Sequence, residues 1–135
     1  MIDPLSSPAV PTQKRILLVE DDYANRMFFS EYLRYCGYEV LALSEGLNLF
    51  VHLKEFQPHI LLLDLCLPEI DGFSLIQRVR QTSEWQTLPI VVISGYAFDA
   101  DRERTEAFGI QAYLVKPVRL QELVQVVARV CALEG

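Results

Sequence analysis

Two acidic groups follow two separate apolar runs: Glu20-Asp21-Asp22 after Ile16-Leu17-Leu18-Val19, and Asp64 after Ile60-Leu61-Leu62-Leu63. Carboxylates brought together repel one another unless a cation neutralises them. Hard oxygen donors with no His or Cys cluster beside them favour Mg²⁺, or Mn²⁺, over zinc. Mg²⁺ commonly binds one or two carboxylates plus a phosphate oxygen, so such a site lacks only a phosphoryl group. Two more apolar runs end in partners for its oxygens: Ser94 offers a hydroxyl after Ile90-Val91-Val92-Ile93, and Lys116 a positive charge after Ala112 to Val115. Singly these residues are ordinary, Asp64 and Ser94 as turn residues and Lys116 as a solvated lysine. Their shared position at the ends of apolar runs makes them a constellation.

Apolar runs bounded by turn residues read as strands buried on both faces, the kind found in parallel sheets covered by helices. The intervening stretches read as those helices. Tyr23 to Cys36 places Phe28, Phe29, Tyr32, Leu33 and Cys36 at helical spacing and closes on Gly37. Tyr38 to Leu43 is a second strand, and Glu45 to Phe56 a helix with Leu47, Phe50 and Val51 inward and Ser44 as its N-cap. After Pro68 and Gly72, Phe73, Ile76 and Val79 mark a third helix, followed by a polar connection holding Trp85. Phe98 to Phe108 is rich in charge and poor in large apolar residues, a weakly anchored helix capped by Asp99 and closed by Gly109. The last helix, Leu120 to Leu133, buries Leu120, Leu123, Val124, Val127 and Cys131. Its second stripe, Val126, Val130 and Leu133, reads either as a wide buried face or as a surface for a dimer or partner.

Strand and helix alternate five times, which implies a doubly wound α/β domain with a parallel sheet. If the strand order is 2-1-3-4-5, the ends of strands one and three lie side by side at the topological switch point, and Glu20, Asp21, Asp22 and Asp64 converge in one cleft. The 135 residues, 51% of them hydrophobic, suffice for one domain. Residues 1–13, with three prolines and no apolar period, read as a flexible tail, and 14–135 as the domain. A net charge of -6 argues against gripping nucleic acid or an anionic membrane. No basic segment leads an apolar stretch, and no apolar run approaches the roughly 20 residues of a membrane span. Three well-separated cysteines fit free thiols in a reducing, cytoplasmic setting.

The motifs ILLVEDD, LLLDLCLPEIDG, VVISGY and AYLVKP resemble, in order, the acidic pair, phosphoacceptor, switch hydroxyl and lysine-proline motifs of response-regulator receiver domains, over Lys14 to about Leu133. The resemblance implies a flavodoxin-like doubly wound (βα)5 fold that takes a phosphoryl group from the phosphohistidine of a sensor histidine kinase or phosphotransfer protein. It makes Asp64 the nucleophile, Asp21 and Asp64 direct Mg²⁺ ligands, and Glu20 a ligand acting mainly through water. It gives Cys66 a backbone carbonyl on the metal, Ser94 and Lys116 contacts with the phosphoryl group, and Tyr113 the role of an aromatic that turns inward when Ser94 moves. It also implies a cis bond before Pro117. Four residues depart from the commonest pattern: Glu20 stands where Asp is frequent, Ser94 where Thr is, Gly95 where Ala is, and Cys66 as the metal-carbonyl residue. None removes a needed group.

A phosphoryl group adds about -1.5 to -2 in charge and recruits donors such as Ser94 and Lys116, which pulls on strands four and five. The expected output is a change in the surface of helix four, strand five and helix five, read by a downstream protein effector or by a second copy in a homodimer. Two other readings use the same residues: a phosphorylation-independent docking module, which the intact set of acids, Ser94 and Lys116 argues against, and a Mg²⁺-dependent phosphohydrolase. The latter wants a general acid two residues past Asp64, where Cys66 is a poor substitute. A flavodoxin-like cofactor domain is disfavoured because Glu20-Asp21-Asp22 would repel a phosphate.

Overall fold

The computed structural model describes residues 13–134. The tail expected over residues 1–13 therefore lies outside the described residues except for Gln13, whose side-chain amide donates to the Gly37 carbonyl at 3.0 Å. Five strands, β1 (Arg15–Val19), β2 (Glu39–Leu43), β3 (Ile60–Asp64), β4 (Ile90–Ser94) and β5 (Ala112–Val115), pair in parallel in the order β2-β1-β3-β4-β5. They alternate with α1 (Tyr23–Tyr35), α2 (Leu49–Phe56), α3 (Gly72–Gln81), α4 (Asp99–Glu106) and α5 (Leu120–Glu134), and a 3-10 turn spans Ser83–Trp85. The fold is the flavodoxin-like one the resemblance implied.

Successive strand side chains point to opposite faces, so the core divides in two. Ile16, Leu18, Ile60, Leu62 and Val91 pack with α1 and α5 through Phe29, Leu33, Leu123, Val127 and Cys131. Leu17, Val19, Leu61, Leu63 and Val92 pack beneath α2 and α3 through Leu49, Leu53, Leu75, Ile76 and Val79, with Trp85 beside them. Burying each such side chain contributes roughly 1.5–3 kcal/mol, so the central strands form a stiff frame.

Register carries that stiffness to the carboxyl edge. Val19 pairs with Leu63, so Glu20 follows one step on, level with Asp64. Asp64 pairs with Ile93 and Ser94 with Val115, which puts Ser94 and then Lys116 along the same rim. Gly72 lets α3 begin close to that rim, for a Cβ there would stand 2.6 Å from Leu65 Cα.

Several inward assignments differ from expectation. Phe28 is 63% exposed and Cys36 is exposed, whereas Phe29 and Leu33 are buried. Neighbouring helical residues are rotated about 100° apart, so Phe28 and Phe29 cannot both face the sheet. The second helix begins at Leu49, not Glu45, and buries Leu49 and Leu53 while Leu47 and Val51 are exposed. Its start is delayed because Glu45 turns its carboxylate onto the Leu47 amide (2.6 Å) and buried Gly46 packs beneath Leu75, where a Cβ would sit 2.7 Å from Leu75 Cδ1. Asn48, not Ser44, holds the N-cap position, and Phe98, not Asp99, holds it in α4; neither makes a side-chain capping bond. Val126 and Val130 are buried with the α1/α5 core, so the second stripe on α5 is a wide buried face, with Leu133 alone exposed.

Candidate functional site

Asp64 ends β3 almost wholly buried, at 1% exposure. Its Oδ1 accepts from the Cys66 amide at 2.9 Å and its Oδ2 from Lys116 Nζ at 2.9 Å. Glu20, fully buried just past β1, accepts on Oε2 from the Asp22 amide and from Lys116 Nζ, both at 3.1 Å. Its Oε1 also lies 3.1 Å from Lys116 Nζ but makes no aligned hydrogen bond, which leaves a buried carboxylate oxygen with capacity to spare. Asp21 is exposed beside them, and one carboxylate oxygen from each of Glu20, Asp21 and Asp64 lies within 4.8 Å of the others.

Asp22 does not join that cluster. Its carboxylate accepts from the Asn25 amide at 2.8 Å and caps α1. An Asp three residues before a helical amide is a readable capping signal, here masked by two neighbouring acids. Asp71 does the same for α3, accepting from the Phe73 amide and from Ser74 Oγ.

Three carboxylates share this rim, and two of them, Glu20 and Asp64, hold the half-buried Lys116 ammonium. Burial, and then the neighbouring Asp64 charge, push the Glu20 carboxyl up to about 7. For Lys116, burial pulls downward, but its hydrogen bonds to Asp64 and Glu20 and their charges outweigh that, so its pKa stands above the usual lysine value. The spare oxygen on Glu20, the clustered carboxylates and the all-oxygen donor set fit a hard divalent cation such as Mg²⁺.

Ser94 is fully buried at the end of β4; its Oγ accepts from the Tyr96 amide at 2.9 Å and lies 3.9 Å from Cys66 Sγ. Lys116 donates its amide to the Ser94 carbonyl at 2.8 Å and precedes a cis bond to Pro117, as the resemblance implied. Tyr113 lies inward, buried, with its hydroxyl donating to the Tyr96 carbonyl at 2.9 Å. The site is a rim, not an enclosed cavity. A hollow of about 240 Å³ lies at the opposite end of the sheet, between His59, Trp85 and Pro89.

Sequence reasoning missed the arginines. Arg26 donates to the Glu20 and Asp21 carbonyls. Arg80 donates to those of Phe108, Gly109, Leu88 and Trp85, tying the end of α4 to α3 and the connection before β4. Arg102 lies over the Tyr113 ring at 4.9 Å.

Residues 16–128 match the family profile of the response regulator receiver domain. The chain belongs to that family. It is 26% identical to the polar-differentiation response regulator DivK of Brucella anthropi over 114 residues, 84% of this chain and 93% of DivK. Among solved structures it is similar to the receiver domain of sensor histidine kinase PA1611 of Pseudomonas aeruginosa, at TM-score 0.79 and 29% identity over 89% of this chain and 98% of the other. In that relative a magnesium ion is coordinated in the active-site cleft. The chemotaxis response regulator CheY4 of Vibrio cholerae superposes at TM-score 0.82 with 25% identity, covering 88% of this chain and 99% of CheY4. Among the described residues of this receiver, no helix is long and apolar enough to cross a membrane.

Proposed function

We propose that this receiver accepts a phosphoryl group on Asp64 from the phosphohistidine of a sensor histidine kinase or phosphotransfer protein in the cytoplasm, and passes the signal to a protein partner. The observation that carries this reading is the Lys116 ammonium shared between buried Asp64 and buried Glu20, beside a carboxylate oxygen with spare capacity. An Asp64 oxygen forms the new P–O bond as the donor's P–N bond breaks; the bonding pair leaves with the imidazole, which takes up one proton. Asp21 and Asp64 would hold Mg²⁺ directly, with Glu20 acting through water and the Cys66 backbone carbonyl completing the protein's share. Bound Mg²⁺ would shield the charge of the phosphoryl oxygens as they approach the carboxylates.

Lys116 and Ser94 then act on the product. Lys116 follows the charge from the Asp64 carboxylate onto the phosphoryl oxygens. Ser94 Oγ, which accepts from the Tyr96 amide, keeps its own hydrogen to donate to the phosphoryl group. A shift of Ser94 would be felt along a short relay: Ser94 holds the Tyr96 amide, the Tyr96 carbonyl holds the Tyr113 hydroxyl, and the Tyr113 ring lies under Arg102 of α4. The inward Tyr113 is one end of that switch. The α4–β5–α5 face is the output surface for an effector or a second copy, and with Val126 and Val130 committed to the core a homodimer would have to use other residues of that face.

Intact-mass measurement after incubation with Mg²⁺ and acetyl phosphate tests the reading. Native protein should gain one phosphoryl group, lost in Asp64→Asn and with EDTA. No gain by folded native protein under saturating donor and metal would contradict it and leave a docking module switched without phosphate.

A further inference from the structure

The acidic loop after β1 must present the Asp21 carboxylate to a cation, yet that side chain is exposed and makes no hydrogen bond among the described residues. Only its backbone, through the direction of the Cα–Cβ bond, constrains where it can reach. Arg26, in the first turns of α1, reaches back with one guanidinium nitrogen, Nη1, to the Glu20 carbonyl at 2.9 Å and the Asp21 carbonyl at 3.1 Å. Those two carbonyls belong to the two peptide planes on either side of the Asp21 Cα. Peptide planes are rigid, so fixing both fixes the rotation about the Asp21 backbone bonds and hence the line along which its carboxylate leaves the chain.

The surrounding contacts brace the same arm. The Arg26 amide donates to the Asp22 carbonyl at 2.9 Å, and the Asp22 carboxylate caps the Asn25 amide. The guanidinium also lies over the Tyr23 ring, 5.6 Å from its centre. None of these contacts engages the side chain of Asp21 or Glu20 Oε1, so the loop is held while those oxygens stay open.

We infer that Arg26 is a positioning residue for the metal site, acting through the backbone of the two acids and not on the metal itself. The inference rests on the Mg²⁺ reading above. Charge alone makes the opposite forecast: a guanidinium near a divalent cation repels it, and removing it would tighten binding. The sign of the effect separates the two.

The experiment is calorimetric titration of Mg²⁺ into the full, metal-stripped chain, native and carrying Arg26→Met or Arg26→Lys, with amide NMR spectra of the metal-free proteins. Arg26→Met should weaken Mg²⁺ affinity roughly tenfold, as loss of an outer positioning contact commonly does. Arg26→Lys keeps the charge on a shorter side chain, without the planar head that holds Nη1 against both carbonyls, and should recover only part of that loss. In the metal-free spectra the Asp22 amide, which donates to Glu20 Oε2, should exchange faster in Arg26→Met while those of β3 stay protected. Unchanged or tighter Mg²⁺ binding by Arg26→Met would overturn the inference, as would unchanged exchange at Asp22. Absence of Mg²⁺ binding by the native chain would instead overturn the metal reading, with loop exchange still deciding whether Arg26 holds the loop. Should Arg26→Met not fold, Arg26→Lys decides by the same measurements: native-like affinity and exchange would overturn the inference.

Discussion

The two sides of the cleft are built to opposite specifications. On the β1/β3 side, Glu20 and Asp64 are buried, each is held by Lys116 and by a backbone amide two residues on, and the strands beneath them are buried on both faces. On the β4/α4 side, α4 buries only Thr105 and has Phe98 at its N-cap with no side-chain capping bond. That helix is held through arginines: Arg102 over Tyr113, Arg104 over Phe73 at 4.0 Å, and Arg80 on the carbonyls at its end. Exposed cation–ring contacts contribute about 0.5–1 kcal/mol each, against roughly 1.5–3 kcal/mol per buried aliphatic side chain. On the proposed reading, the chemistry that depends on close placement would sit on the stiff side, and the response would fall to elements whose rearrangement costs little.

The sharpest way to break this contrast is to loosen the stiff side. Lys116→Met should destabilise the metal-free chain by about 3 kcal/mol, because it leaves two buried carboxylates facing each other without their ammonium. Urea unfolding in EDTA measures this, and added Mg²⁺ should restore part of the loss. An effect within 0.5 kcal/mol, on the order of an ordinary surface substitution, would mean that the pair is not what fixes this rim.

A smaller effect follows from the Glu20 carboxyl, raised to about 7 by burial and by Asp64. A raised folded pKa means the folded state holds the proton more tightly than the unfolded one. The stability linked to Glu20 is therefore full below its unfolded value and declines as pH climbs through about 7 in metal-free protein. Mg²⁺ needs the deprotonated group, so its affinity should rise about tenfold between pH 6 and pH 8, with proton release on binding. Calorimetry in buffers of different ionisation enthalpy checks this, and a pH-independent affinity would mean that no carboxyl raised to about 7 loses its proton on binding. The smallest effect belongs to the α4 side. Arg102→Ala should cost about 0.5 kcal/mol in stability yet visibly broaden or shift the Tyr113 ring resonances, because it removes the cation over that ring.

How much could be read beforehand follows the same division. Glu20, Asp21, Asp64, Ser94 and Lys116 were legible because each closes an apolar run, and parallel strands deliver their ends to one rim whatever the details of the helices. Asp22 was misplaced in the cleft because three adjacent acids look alike, and only the backbone shows that the third turns to cap α1. Leu47 and Val51 were assigned inward and Phe28 was counted among apolar positions at helical spacing, but a loop at Glu45–Gly46 shifts one helix start and a 100° rotation separates Phe28 from Phe29. Arg26, Arg80 and Arg102 left no periodic signal, since their partners are backbone carbonyls and a ring face brought near by the fold.

Hydrogen exchange followed by mass spectrometry, on the chain with Mg²⁺ before and after addition of acetyl phosphate, tests the central claim most directly. The account predicts altered exchange in the β4–α4 segment around residues 94–109 and in β5 around Tyr113, with β1 and β3 unchanged. Changes spread evenly over all five strands, or confined to the β1/β3 side in a chain shown to be phosphorylated, would contradict it.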